Sequence, residues 1–149
     1  MMSKMAFFFN PGPTKPPTTV ELIWEHDLVF GGKSGDVRLT LDSASKEGAS
    51  PMQALAFALA GCMAMDVVHV LRKGRHELRG LRVDLTGQRA PAEPRRFTHI
   101  TLHYTITGSI PDEPVARAIQ LSREKYCSVW HSMRQDIELG VTFTVSEGV

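Results

Sequence analysis

Two cysteines, Cys62 and Cys127, are the residues whose chemistry this sequence has to account for. Cys62 lies in Ala60-Gly61-Cys62-Met63-Ala64, in the middle of an apolar stretch with helical character. Cys127 lies in Lys125-Tyr126-Cys127-Ser128-Val129, at the joint between two expected helices. Two readings of such a pair are open. Free cysteine is commonly a small buried hydrophobe with no chemistry of its own. Alternatively, one thiolate attacks a peroxide and becomes a sulfenic acid, and the second thiol condenses with it to a disulfide. A helix N-terminus favours a thiolate, which would help Cys127 and do little for Cys62 in mid-helix. Cys62 would need a nearby cation or hydrogen-bond donors.

Other constellations are weaker. Cys62, Asp66 and His69 share one helical stripe, but Cys62 and His69 are two turns apart, about 10.5 Å along the axis. A polar strip where helices cross explains the stripe better than a relay. His99 and His103 share a strand face roughly 13 Å apart. With no Cys-x-x-Cys spacing, and with the His99-x-x-x-His103 pair on a strand and not on a helix, no metal site is expected. His131, four residues after Cys127, reads as a surface or interface residue. Arg89, Arg95 and Arg96 make a small solvated basic turn without an aromatic platform, so no nucleic-acid partner is expected. There is no phosphate-binding glycine loop and no nucleophile elbow, and no cofactor is implied.

The elements that must position the thiols follow from periodicity. Val20, Leu22 and Trp24 alternate with Glu21, Ile23 and Glu25, and Val37, Leu39 and Leu41 with Arg38, Thr40 and Asp42, predicting two strands with one wet face each. Gly31-Gly32-Lys33-Ser34-Gly35 between them reads as a turn, and residues 43–49 as a polar loop. Ser50-Pro51-Met52-Gln53 is a helix start: Ser50 caps, Gln53 closes a capping box and Pro51 fits the first helical position. The helix runs to Lys73 and stops at Gly74, with Arg72 and Lys73 at the negative end of its dipole. Leu81, Val83 and Leu85, then Ile100, Leu102, Tyr104 and Ile106, form an antiparallel hairpin turning near Pro91 and Pro94. Asp112 and Pro114 open a second helix reaching Tyr126, with Val115, Ile119 and Ser122 on one stripe. A short helix over residues 128–134 follows, and alternation from Ile137 to Val145 gives the last strand. The order β-β-(β)-α-β-β-α-β predicts an α+β domain with antiparallel sheets.

Composition bounds the rest. The chain has 149 residues, of which 42% are hydrophobic and 22% charged, with a formal charge of +1. That supports a core in a single domain, expected over residues 19–149 behind a flexible arm at residues 1–18, where Phe7, Phe8 and Phe9 could dock on a neighbour. Two cysteines do not make a secreted scaffold, which points to the cytoplasm. Residues 51–71 are nearly uncharged, long enough for a bilayer. They are rich in alanine and carry Asp66, which costs roughly 2.5–3.5 kcal/mol at a bilayer centre, so a buried soluble helix is expected and no membrane. From Ala54 to Met65 that helix is apolar all round and must be enclosed on every side. Covering it takes a second subunit, which predicts a homodimer with this helix at its centre.

Taken together, Ser50-Pro51 before an apolar helix with Gly61-Cys62, Met65-Asp66-Val67-Val68, Lys73-Gly74-Arg75, Phe97-Thr98-His99-Ile100 and Glu124-Lys125-Tyr126-Cys127-Ser128-Val129 resemble the OsmC/Ohr family, in particular its YhfA-like branch, over nearly all of residues 19–147. The resemblance implies an intertwined homodimer with two central helices wrapped by two antiparallel sheets. It implies thiol-dependent reduction of organic hydroperoxides, Cys62 attacking and Cys127 resolving, with a dithiol, commonly on a lipoylated protein, resetting the disulfide. Active members of the family place a Glu ten residues before the attacking Cys and pair it with an Arg from an early Gly-Gly-Arg loop. Here Met52 holds the Glu position, with Gln53 beside it, and Lys33 stands where the Arg would. Lysine is a point charge and cannot make the planar bidentate pair. Lys33 and Gln53 are the candidate thiolate- or substrate-positioning residues, with Arg38, Arg95 and Arg96 as further cations. Leu55, Phe57, Leu59 and Met63 are candidate linings for an apolar pocket. The alternative is a non-catalytic dimer of the same fold that senses oxidants or binds a small apolar ligand.

Overall fold

The computed structural model describes residues 15–148. Phe7, Phe8 and Phe9 lie outside the described residues; Lys15 to Thr18 have no regular structure and are exposed. The described chain forms two compact units that divide between Ala49 and Ser50.

The first unit is a three-stranded antiparallel meander of β1 (Glu21–His26), β2 (Val29–Ser34) and β3 (Val37–Asp42). The expected turn at residues 31–35 is mostly strand: Gly31 pairs with Ile23 and Thr40, and Gly32 with Leu22 and Leu39. These glycines are there for space. A Cβ on Gly31 would come within 2.6 Å of Glu25 Oε1, and one on Gly32 within 3.0 Å of Leu22 Cδ2 and Leu39 O. The turn is confined to Gly35 and Asp36, with Gly35 at φ 58°, a left-handed conformation that glycine takes without Cβ strain. β1 is exposed on both faces, Leu22, Ile23 and Trp24 included, so the expected single wet face is absent there. The loop after β3 is organised by Asp42, whose carboxylate accepts N–H bonds from Ala44 (2.8 Å), Lys46 (3.1 Å) and Glu47 (2.9 Å).

The second unit opens with α1 (Pro51–Lys73). Its capping box is formed as expected: Ser50 Oγ accepts from Gln53 N at 3.2 Å and Gln53 Oε1 accepts from Ser50 N at 2.9 Å. The helix ends before Gly74, but the left-handed residue is Arg75, at φ 60°. β4 (Glu77–Arg89) and β5 (Phe97–Ser109) form the predicted hairpin. α2 (Asp112–Leu121) follows and passes into a π-helical turn at Ser122–Tyr126, then α3 (Ser128–His131) and β6 (Glu138–Ser146). The sheet order is β4-β5-β6, and β6 runs parallel to β5. This corrects the expectation of purely antiparallel sheets. A connection made of two helices is long enough for the chain to re-enter the sheet in its original direction.

The core lies between one face of this sheet and two helical stripes. Ile100, Leu102, Tyr104 and Ile106 project from β5, Leu59, Met63, Val67 and Leu71 from α1, and Val115, Ala118 and Ile119 from α2. The α1 residues recur every four positions, which is one face of a helix. The opposite face is open, with Phe57 74% and Met65 72% exposed. Within one chain the helix is therefore enclosed on one side, not on every side. Its length and composition would suit a bilayer span, but that buried stripe makes it a core helix.

Candidate functional site

The geometry brings the two cysteines together. Cys62 Sγ, Cys127 Sγ and a carboxylate oxygen of Asp66 all lie within 4.8 Å of one another, and both thiols are free. α1 carries Cys62 and Asp66 on successive turns, so both point the same way. Cys127 arrives from the joint between the π-helical turn and α3. The π-helical turn closes with Cys127 N–H donating to Ser122 O at 2.8 Å, an i→i+5 bond that stacks residue 127 over residue 122. Both are fully buried, whereas the four residues between them are exposed. Ser122 Oγ donates to Asp66 Oδ2 at 2.8 Å. One wide turn therefore delivers the second thiol and anchors the carboxylate beside it. Such π-bulges recur at functional sites.

The two thiols differ in environment. Cys62 is half-buried and Cys127 fully buried. Burial pushes the Cys127 thiol up to about 11, with further upward contributions from the neighbouring Cys62 and Asp66; the Trp130 N–H on its sulfur, at 3.3 Å, pulls the other way and is outweighed. At neutral pH Cys127 is a thiol, not a thiolate. Tyr104 lies across the core with its hydroxyl fully buried and without a hydrogen-bond partner among the described residues. Burial first, then Cys127, Asp66 and Cys62, raises its phenol above the ordinary tyrosine value. Two thiols and one carboxylate are the fewest donors a metal ion could use. Here Ser122 already engages Asp66, and burial holds Cys127 as the thiol, whereas a metal ligand must be the thiolate.

Asp66, Ser122 and Tyr104 complete this cluster. Sequence reasoning placed Asp66 on the Cys62 stripe and Ser122 on the apolar stripe of α2, but it could not join them across the core. His69, the third member of that stripe, is exposed and lines an open cleft of about 670 Å³ with Asp66, Lys73 and Tyr126. His131 is exposed and donates from Nε2 to Arg123 O at 3.0 Å.

The other expected positions are occupied differently. Gln53 belongs to the capping box and lines a cavity of about 300 Å³ with Ala56, Phe57, Ala60, Val83 and Leu85. It is nine residues from Cys62, about 13 Å along the helix. Met52 packs against the core. Leu59 and Met63 are core residues with no exposed surface, so of the four expected pocket linings only Phe57 borders that cavity. Lys33 stands in β2 of the first unit, its Nζ 3.3 Å from Glu21 Oε2. Arg95 pairs with Glu93 at 3.4 Å and Arg96 with Asp136 at 3.8 Å.

A thiol pair, one half-buried and one buried, between a long helix and a wide turn beside a sheet of this order can be compared with known proteins. Residues 43–142 match the model of the family described as OsmC-like protein, and the chain belongs to that family. It is 40% identical over 125 residues to Protein YhfA of Escherichia coli strain K12, an alignment covering 82% of this chain and 93% of that one. Among solved structures, a hypothetical protein from Aquifex aeolicus VF5 superposes with a TM-score of 0.82 at 27% identity, over 89% of this chain and 98% of the other. An organic hydroperoxide resistance protein OsmC from Legionella pneumophila superposes with a TM-score of 0.67 at 15% identity, over 89% and 100% respectively.

Proposed function

We propose that this protein is a thiol-dependent peroxidase that reduces organic hydroperoxides, with Cys62 as nucleophile and Cys127 as resolving thiol. The observation that carries the reading is the asymmetric pair: two free sulfurs within 4.8 Å, one half-buried and reachable, the other sealed and held neutral. The Cys62 thiolate attacks the terminal peroxide oxygen, the O–O bond breaks, and the alkoxide leaves and takes up a proton as the alcohol. The sulfenic acid at Cys62 then condenses with the Cys127 thiol, releasing water and forming the disulfide. An external dithiol returns both sulfurs to thiols. That the Legionella relative is named for organic hydroperoxide resistance supports the substrate class.

The working unit is proposed to be a cytoplasmic homodimer. Phe57 and Met65 on α1, and Leu22, Ile23 and Trp24 on β1, are apolar and exposed in the single chain, and a second copy is the cover we propose for them. The test of the chemistry is intact-mass and peptide mapping of reduced protein given one equivalent of an organic hydroperoxide. Loss of two mass units with a linked Cys62–Cys127 peptide, blocked in Cys62→Ser, is the expected result. Two thiols still free after long exposure would end the proposal. Met52, where an acidic residue would orient a cation, favours a second reading: an oxidant sensor or apolar-ligand carrier. A sensor forms the disulfide once without dithiol turnover, and a carrier leaves both thiols untouched.

A further inference from the structure

We propose that Asp66 is the proton shuttle of disulfide closure: its carboxylate takes the proton from the Cys127 thiol and delivers it to the hydroxyl leaving Cys62. This inference rests on the peroxidase reading above and assigns a catalytic group for its second step.

Closure requires a proton to move. When the Cys127 sulfur attacks the Cys62 sulfenic acid, the S–S bond forms, the S–OH bond breaks, the Cys127 S–H proton is lost and the departing hydroxide needs one proton to become water. The transfer balances within the site and needs no outside reactant. Bulk water cannot take the proton from Cys127, which has no exposed surface. Among the described residues, Asp66 is the carboxylate within 4.8 Å of both sulfurs, so one group stands beside both the donor and the acceptor of the proton. Its orientation is fixed from outside the pair by Ser122, donating to Oδ2 at 2.8 Å. Asp66 also lines the open cleft with His69, Lys73 and Tyr126, so it can re-equilibrate with solvent between turnovers.

The groups around the carboxylate come from four places. α1 contributes Cys62, His69 and Lys73; the π-helical turn contributes Ser122 and Tyr126; the joint after it contributes Cys127; β5 contributes Tyr104, whose phenol feels the charge of Asp66. Tyr104 is held neutral, so it does not compete as a base. The negative charge of Asp66 helps keep Cys127 protonated until the sulfenic acid forms, which makes the proton available when the shuttle needs it.

The test is single-turnover kinetics of the full chain with an organic hydroperoxide, separating sulfenic acid formation (trapped with dimedone) from disulfide closure (intact mass), over a pH series. Asp66→Asn is nearly isosteric and can still accept the Ser122 hydroxyl. Its sulfenic acid formation is read separately, so that closure is scored only from the sulfenic acid onward. Closure should slow by about 100-fold, the lower end of what a positioned acid–base group contributes. The native closure rate should have an acid limb that vanishes in Asp66→Asn and persists in Asp66→Glu. Closure in Asp66→Asn at the native rate, or with the native pH limb, would overturn the assignment. If no variant forms a sulfenic acid, the peroxidase reading itself fails, which is a different outcome at a different step.

Discussion

If the core holds Cys127 as described, its chemical silence can be measured. The variant Cys62→Ser leaves one thiol and forms no internal disulfide, so the label uptake of Cys127 is read alone. Burial is the largest cause of its raised value of about 11 and survives the substitution, while the smaller contribution of Cys62 is removed. An ordinary thiol near 8.5 is about one-quarter thiolate at pH 8, whereas a thiol near 11 is about one-thousandth thiolate, a deficit of roughly 200-fold. A more basic thiolate is also a better nucleophile. With a Brønsted slope near 0.45, the difference of about 2.5 units returns roughly tenfold. The net expectation is alkylation about 20-fold slower than in the urea-unfolded chain, before any steric protection by the core. The rate should then climb about tenfold per pH unit from 8 to 10. The assay is iodoacetamide labelling of folded and unfolded Cys62→Ser, quantified on the Cys127 peptide. Labelling at the unfolded rate at pH 8, or a plateau already reached by pH 9, would refute the burial argument.

Removing the Tyr104 hydroxyl, which is buried and unpaired among the described residues, should not destabilise the chain; Tyr104→Phe is expected to raise stability by about 1 kcal/mol in urea unfolding, since an unsatisfied buried polar group costs about 1–3 kcal/mol. Met63→Ala, at a core position with no exposed surface, should lose about 2–5 kcal/mol by the same measurement. Ser50→Ala removes the hydroxyl that accepts from Gln53 N–H and leaves the Ser50 backbone N–H bonded to Gln53 Oε1; it should cost about 1 kcal/mol. The backbone N–H groups of Glu47, then Ala44, hold the Asp42 carboxyl below its ordinary value. The stability it lends is therefore complete above about pH 4 and is lost as pH falls through its lowered native value. Asp42→Asn should lack that acid-side step, followed as amide exchange protection of residues 43–49 against pH.

The elements were legible wherever local chemistry and periodicity agreed. Ser50-Pro51-Met52-Gln53 fixed the start of α1 because the cap, the proline and the glutamine all act within one turn, and alternation along β4 and β5 reported a sheet with one covered face. β2 was hidden because Gly31 and Gly32 imitate a turn, and the reason they are glycine, the approach of Glu25, Leu22 and Leu39, exists only once three strands are side by side. The parallel pairing of β6 was hidden for the same cause, since strand direction is a property of the crossover and not of the strand. The thiol pair was recognised, but through the resemblance. Its two halves are 65 positions apart, and no local signal says that they meet.

The π-helical turn shows how the missing part of the site follows from a small departure in period. Extending α2 regularly to Tyr126, as its stripe suggested, would place residues 122 and 127 about 140° apart around the helix, because five residues at 100° each do not return to the same face. Ser122 could then sit over Asp66, or Cys127 could approach Cys62, but not both. Closing the turn at i→i+5 puts both residues on the inner side and leaves Arg123, Glu124, Lys125 and Tyr126 outside. Period-3.6 reasoning correctly carried Ser122 on the buried stripe and failed at the next step, where the chain departs from the α-helix. That departure brings Cys127 and the Ser122 hydroxyl to the side where Cys62 and Asp66 lie, which is the arrangement the proposed closure step requires. In the proposed mechanism, Met52 bears on the activation of Cys62 and not on the closure step assigned to Asp66 and Cys127.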